Sequence, residues 1–116
     1  MLRPVLLSLA LVLPGCDMVD CENEVPIAVR SPDGRHTAFV YHRDCGATTG
    51  VTTQVSIERG ADTLPALPDT VLVLGDEPVS VRWLGEDRLL ISYRRGARPA
   101  LQESERDGVK ITYRIE

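Results

Sequence analysis

The fold is decided by residues 25–42, which read VPIAVRSPDGRHTAFVYH. The central Ser31-Pro32-Asp33-Gly34 is a turn sequence, because proline presets its own φ, aspartate suits the next position and glycine accepts a positive φ. Apolar residues alternate on both sides of this turn, which predicts a β-hairpin. The alternating residues are Val25, Ile27 and Val29 before the turn, then Phe39 and Tyr41 on one face and Ala38 and Val40 on the other.

The register of this hairpin bears on two cysteines. If pairing runs outward from Arg30 opposite Arg35, Cys21 comes opposite residue 44, which is one step from Cys45. Because register in an antiparallel pair fixes every later neighbour, the hairpin itself is expected to bring the two cysteines close together.

A second strand segment follows at residues 51–58. Apolar and polar residues alternate there, as is typical of a strand with one buried face. Residues 59–70 come next and contain Gly60, Pro65 and Pro68, so they predict a loop.

Residues 71–74 form a short apolar run, which indicates a buried strand. Two alternating segments, 79–83 and 89–93, then flank a turn at residues 85–87 and predict a second hairpin.

The tail allows two interpretations over residues 99–106. Pro99 could open a short helix. Asp107-Gly108, however, is a strong two-residue hairpin signal and is followed by an alternating strand, so a hairpin is favoured. In that hairpin Glu105 faces Lys110, a favourable cross-strand pair.

These segments predict an all-β fold of one domain over residues 25–116. We expect an antiparallel meander of about six to eight short strands, arranged as a small sandwich or an open barrel.

The charge balance restricts the partners. The 116-residue chain has a formal net charge of −4 at pH 7. Nucleic acid is not an expected partner, because phosphate binding needs a basic footprint. An acidic chain suits a basic protein partner.

The first residues resemble the leader of a bacterial lipoprotein. Arg3 lies in a short basic start, residues 5–13 are apolar apart from Ser8, and Leu13-Pro14-Gly15-Cys16 resembles a lipobox. The apolar run is far shorter than the roughly 20 residues of a membrane-spanning helix.

This resemblance implies a signal peptide over residues 1–15, a lipidated Cys16, and a short tether over residues 16–24. It further implies a lipid-anchored position in the bacterial cell envelope, on the periplasmic face of the inner or outer membrane or at the cell surface. Loss of Arg3 with the leader would make the net charge about −5. The alternative is an ordinary secretory signal that happens to have a cysteine nearby.

Lipidation changes the cysteine count. The chain has three cysteines. If Cys16 carries the lipid, Cys21 and Cys45 remain as an even pair in an oxidising compartment, and we expect a disulfide between them. The alternative is a reactive Cys45 beside His42, as a nucleophile beside a base.

Metal binding is a weak expectation. His36 and His42 share one face of the predicted strand, but six residues place them roughly 20 Å apart, beyond the reach of one ion. No cofactor is expected.

The segment around Asp44 offers two interpretations. His42, Asp44 and either Thr48 or Thr49 provide a base, an acid and a hydroxyl, but no nucleophile elbow accompanies them. A tight turn in which Asp44 and the threonines bond backbone amides explains the same residues and is favoured. Asp44, Gly46, Thr48 and Thr49 therefore form a candidate interaction loop.

Three motifs resemble those of a group of small exported bacterial proteins. They are SPDGR at residues 31–35, RDCGATT at residues 43–49 and TQVSI at residues 53–57. The resemblance implies kinship and export, and it implies no particular activity.

The sequence as a whole predicts an envelope lipoprotein that is not an enzyme, that is held at the membrane by its lipid and that binds another envelope protein. An inhibitor of an envelope-active enzyme such as a lysozyme is a second hypothesis. A hydrolase or thiol enzyme using His42, Asp44 or Cys45 is a third.

Overall fold

The structure is a computed structural model that describes residues 21–46 and 50–116. Within them nine strands form two packed sheets. Sheet A has the order β1-β2-β3-β4-β7 and sheet B the order β5-β6-β9-β8. The predicted all-β sandwich is confirmed. The strands are β1 (Glu22–Arg30), β2 (His36–Asp44), β3 (Val51–Arg59), β4 (Thr70–Leu74), β5 (Val79–Gly85), β6 (Arg88–Tyr93), β7 (Leu101–Gln102), β8 (Glu105–Arg106) and β9 (Val109–Ile115).

The first hairpin forms around the predicted turn, but its register differs from the expected one. Arg30 pairs with Thr37 and not with Arg35. The cause lies in the turn. Ser31 N donates to His36 O at 2.8 Å, and His36 N donates to the Ser31 hydroxyl at 3.1 Å, so Ser31 and His36 are the residues that close the loop.

A β-bulge between Glu24 and Ile27 then shifts the pairing by one residue. Beyond the bulge Glu22 pairs with Asp44, which places Cys21 opposite Cys45, and the two are joined in a disulfide. The predicted disulfide is confirmed. β1 begins at Glu22, beside the disulfide and three residues before the expected start of the domain at Val25.

The main core lies between the two sheets. It is built from the inward-facing alternate positions of both, as the period-two patterns require. Ile27, Val81, Trp83, Ala97 and Tyr113 pack around its margin. The buried core residues are Ala38, Val40, Val55, Ile57, Val71, Leu72, Leu74, Val79, Leu89, Ile91, Tyr93, Val109 and Ile111.

The other face of sheet A is buried as well, which simple alternation did not predict. Phe39 and Tyr41 point away from the main core, yet they are only 1% and 0% exposed. The loop of residues 60–69 bonds to this face. Thr37 donates to Ala61 O at 3.0 Å, and Glu58 accepts from Asp69 N at 2.8 Å. The predicted loop thus serves as a cover for the outside of sheet A.

The last third of the chain departs from a simple meander. After β6 the chain returns to sheet A, where β7 pairs with β4, and it re-enters sheet B at the end where β6 began. As a result β9 lies parallel to β6. The predicted hairpin is confirmed, with Glu105 opposite Lys110, and residues 99–106 contain no helix.

The described residues include no helix long and apolar enough to cross a membrane. The predicted signal peptide, the lipidation at Cys16 and the loop residues Thr48 and Thr49 fall outside the described residues.

The disulfide should contribute substantially to stability. It closes a loop with a sequence separation of 24 residues, which the chain-entropy account values at roughly 3.5 kcal/mol. We expect the Cys21→Ser/Cys45→Ser variant to lose about 2–4 kcal/mol in urea unfolding. Reduced wild-type protein serves as the control and should unfold like the variant. Equal stability of oxidised wild type and the double variant would contradict the assignment.

Candidate functional site

A cleft of about 740 Å³ opens at one end of the sandwich. It lies where the turns of the two sheets meet: the β1–β2 turn, the end of β3, the β5–β6 turn and the β8–β9 turn. Its lining is charged, with Asp33, Arg35, His36, Arg59, Gly60, Glu86, Asp87, Asp107 and Gly108 around it.

Asp107 is the residue that ties the cleft together. It and Gly108 form the two-residue β8–β9 loop with φ of 51° and 80°, which is the backbone of a type I′ turn. The carboxylate accepts from His36 Nε2 at 2.9 Å and from Arg59 Nε and Nη2 at 2.9 and 2.8 Å. One turn of sheet B is thereby bound to two strands of sheet A.

His36 is held on its other sides by packing. Its ring stacks on that of Trp83, with centroids 6.5 Å apart, and Trp83 Nε1 donates to Val29 O at 2.9 Å. His36 Nδ1 is buried and has no hydrogen-bond partner among the described residues.

Two carboxylates of the cleft favour the ionised form. The hydrogen bond from His36, followed by those from Arg59, lowers the pKa of Asp107 below its ordinary value. The Ser31 hydroxyl and the Arg35 backbone N–H lower the pKa of Asp33 in the same way. Both carboxylates therefore carry their charge at neutral pH.

Glu86 and Asp87 contribute two carboxylates to the cleft, and no described residue neutralises them. They form the β5–β6 turn and line the cleft, and neither makes an ion pair with the described part of the chain. The charge of Asp107, by contrast, is balanced by Arg59. The cleft is therefore suited to receive a cationic group from a partner.

The lining residues of the cleft include no hydroxyl or thiol group. Within residues 21–46 and 50–116, no three His, Cys, Asp or Glu side chains cluster in a way that could hold a metal ion. The charged side chains that line the cleft are suited to recognising a charged group.

Of the residues that the sequence singled out, His36 lies in the cleft, whereas His42, Asp44 and Cys45 lie at the opposite end of the sandwich. The sulfur of Cys45 is bonded to Cys21, so the oxidised protein has no thiol there. His42 Nδ1 lies 3.3 Å from the Thr53 hydroxyl. Asp44 accepts from Gly46 N at 3.0 Å, which is the turn contact that the sequence favoured for Asp44.

Sequence reasoning missed the role of Asp107. The sequence identified Asp107 only as the first residue of a two-residue turn. Glu103 accepts from Arg106 and Asp107 accepts from His36 and Arg59. The Asp-Gly pair revealed the turn, but nothing local to it showed which strands of the other sheet lie opposite.

Comparison of the chain with protein-family models, with curated proteins and with solved structures found no match.

The link from Asp107 to sheet A can be tested through pH. Because the folded state lowers the pKa of Asp107 from 3.8, its contribution to stability is present above about pH 4 and is lost as the pH falls through the lowered pKa. Asp107→Asn keeps a residue that tolerates positive φ but removes the charge. We expect it to lower the thermal midpoint at pH 7, with the difference from wild type shrinking below about pH 4.

Asp76→Asn is the matched control, because Asp76 is exposed and its side chain makes no hydrogen bond to a described residue. It should change stability by no more than about 0.5 kcal/mol. A difference between Asp107→Asn and wild type that is the same at pH 7 and pH 3 would contradict the ionic link.

Proposed function

We propose that the protein is a lipid-anchored envelope protein whose β-sandwich binds another protein and catalyses no reaction, and that the charged cleft is its binding surface. The observation that carries the proposal is the position of the cleft. It lies at the turn end of β1, whereas the disulfide and the proposed tether lie at the start of the same strand.

The separation between these two ends is large. β1 has nine residues, and at about 3.3 Å per residue it spans roughly 30 Å. An anchor at Cys16 would attach the domain at the disulfide end, so the cleft would stay clear of the attachment point. A partner in the envelope could then reach it.

The chemistry of the cleft suggests the kind of partner. Glu86 and Asp87 offer carboxylates without a described counter-ion, and the whole chain is acidic, with a net charge of −4. Both features favour a protein that presents lysine or arginine side chains. The inhibitor hypothesis is a special case of this binding, because a basic envelope-active enzyme such as a lysozyme would suit the same cleft.

The anchor itself can be tested by one substitution. Cys16→Ser removes the sulfur that would carry the diacylglyceryl group. We expect the variant to move from the membrane to the soluble envelope fraction and to lose labelling by a palmitate analogue, because two or three acyl chains are needed for stable attachment. Unchanged partition into the membrane would refute the anchor.

The binding surface can be located by photo-crosslinking in intact cells. A photoreactive residue in place of Glu86 should give a protein adduct, and a second one in place of Leu67 serves as the control, since Leu67 is 90% exposed but lies on the loop that covers sheet A. A Glu86→Lys/Asp87→Lys variant should lose the partner, since like charges would face each other.

Three outcomes distinguish the hypotheses. An adduct from position 86 with a muramidase, together with inhibition of that enzyme by the purified protein, would establish the inhibitor. Adducts from position 44 but none from position 86 would move the binding surface to the loop of residues 45–50. Equal adducts from positions 67 and 86 would contradict a specific site in the cleft.

A further inference from the structure

The outer face of sheet B carries a cluster of cations on an otherwise acidic chain. Alternate residues of β5, β6 and β9 point away from the core, and among them are Arg82, Arg88, Lys110 and Arg114. Arg88 and Lys110 are direct cross-strand neighbours, and Arg114 lies beside Ser92. We call these four residues the basic face.

The basic face is not neutralised from within the described part of the chain. None of its four cations forms an ion pair there, as is also true of Arg43, Arg95 and Arg98, whereas the other arginines of the described residues are paired with carboxylates. Acidic residues adjoin it at three places: Asp87 precedes Arg88 and its backbone carbonyl accepts from Lys110 N at 2.8 Å, Glu105 lies across from Lys110, and Glu116 lines the same groove as Arg114. Four like charges on adjacent strands repel one another, so an external anion would relieve an existing cost.

Apolar surface accompanies these charges. A shallow groove of about 320 Å³ is lined by Arg82, Arg114 and Glu116 together with Leu90, which is 8% exposed. Leu84 points outward from the same face and is 48% exposed. Cations around an exposed leucine are the combination that binds a charged membrane surface.

The proposed tether joins the sandwich at the disulfide end of β1. Sheet B contacts β1 nearer its other end, where Trp83 Nε1 donates to Val29 O. Cys21 lies five residues after Cys16, and this stretch spans at most about 18 Å when fully extended. A lipid on Cys16 would thus hold the disulfide end of the domain close to the bilayer, from where sheet B could lie against it.

We propose that the basic face docks on anionic phospholipid headgroups, with Leu84 at the apolar boundary. The setting of this proposal rests on the anchor proposed above, but the binding itself does not require lipidation. The domain would lie on its side, with β5, β6 and β9 along the membrane. The cleft at the end of the sandwich would then open sideways and remain accessible to a protein partner.

Vesicle co-sedimentation tests the docking. Purified Cys16→Ser chain, which cannot carry the lipid, should bind vesicles with 30% phosphatidylglycerol more tightly than vesicles of phosphatidylcholine alone. Arg82→Gln/Arg114→Gln should weaken binding to the anionic vesicles by roughly twenty-five-fold, since each of the two cations near such a surface contributes about fivefold. High salt should abolish the preference.

Arg95→Gln/Arg98→Gln is the control, because it removes the same charge from a loop outside the basic face. It should retain most of the affinity for anionic vesicles. Equal binding to both kinds of vesicle, or equal loss in the two double variants, would overturn the proposal. These measurements do not depend on acylation. The docking proposal can therefore be refuted while the anchor is confirmed, and the anchor can be refuted while the docking is confirmed.

A photoreactive residue in place of Leu84 distinguishes a lipid from an acidic protein as the occupant. In membranes of cells that express the full chain, a lipid adduct is expected. A protein adduct at this position without a lipid adduct would show that the basic face binds an acidic protein, and would refute the lipid assignment.

Discussion

The pairing of Ser31 with His36 is the constraint on which the rest of the structure depends. The backbone supplies one hydrogen bond between these residues, from Ser31 N to His36 O. The Ser31 hydroxyl supplies the second by accepting from His36 N, and it also donates to Asp33. Since side chains alternate along a strand, this pairing decides which residues of β2 face sheet B. A slip of one residue would turn Ala38 and Val40 to the outside of sheet A, under the 60–69 loop, and Phe39 into the core between the sheets.

The two ends and the two faces of the sandwich follow from this pairing and give the molecule separate surfaces. One end holds the disulfide, and the other holds a cleft in which Asp107 joins the sheets through His36 and Arg59. The outside of sheet A is covered by the 60–69 loop, whereas the outside of sheet B is open and cationic. The proposed attachment, membrane contact and partner binding would therefore occupy different parts of one small domain.

The features that could be predicted from the sequence are those that depend on residues close to one another in the chain. The turn at Ser31–Gly34, the alternation in β3 and the Asp107-Gly108 hairpin depend on neighbouring residues, and the structure confirms them. The bulge before Ile27 and the parallel pairing of β9 with β6 depend on contacts between distant segments. The same limit applies to the cleft, because the partners of Asp107 lie 71 and 48 residues away in the chain.

Backbone nuclear Overhauser contacts across the first hairpin test the register most directly. The account predicts contacts between Ala28 and Phe39 on the turn side of the bulge and between Asn23 and Arg43 on the disulfide side, which differ by one residue in register. Contacts in the simpler register, with Arg30 against Arg35 and no shift along β1, would contradict it. In that case the residues assigned to the core, to the cleft and to the disulfide would all be misplaced.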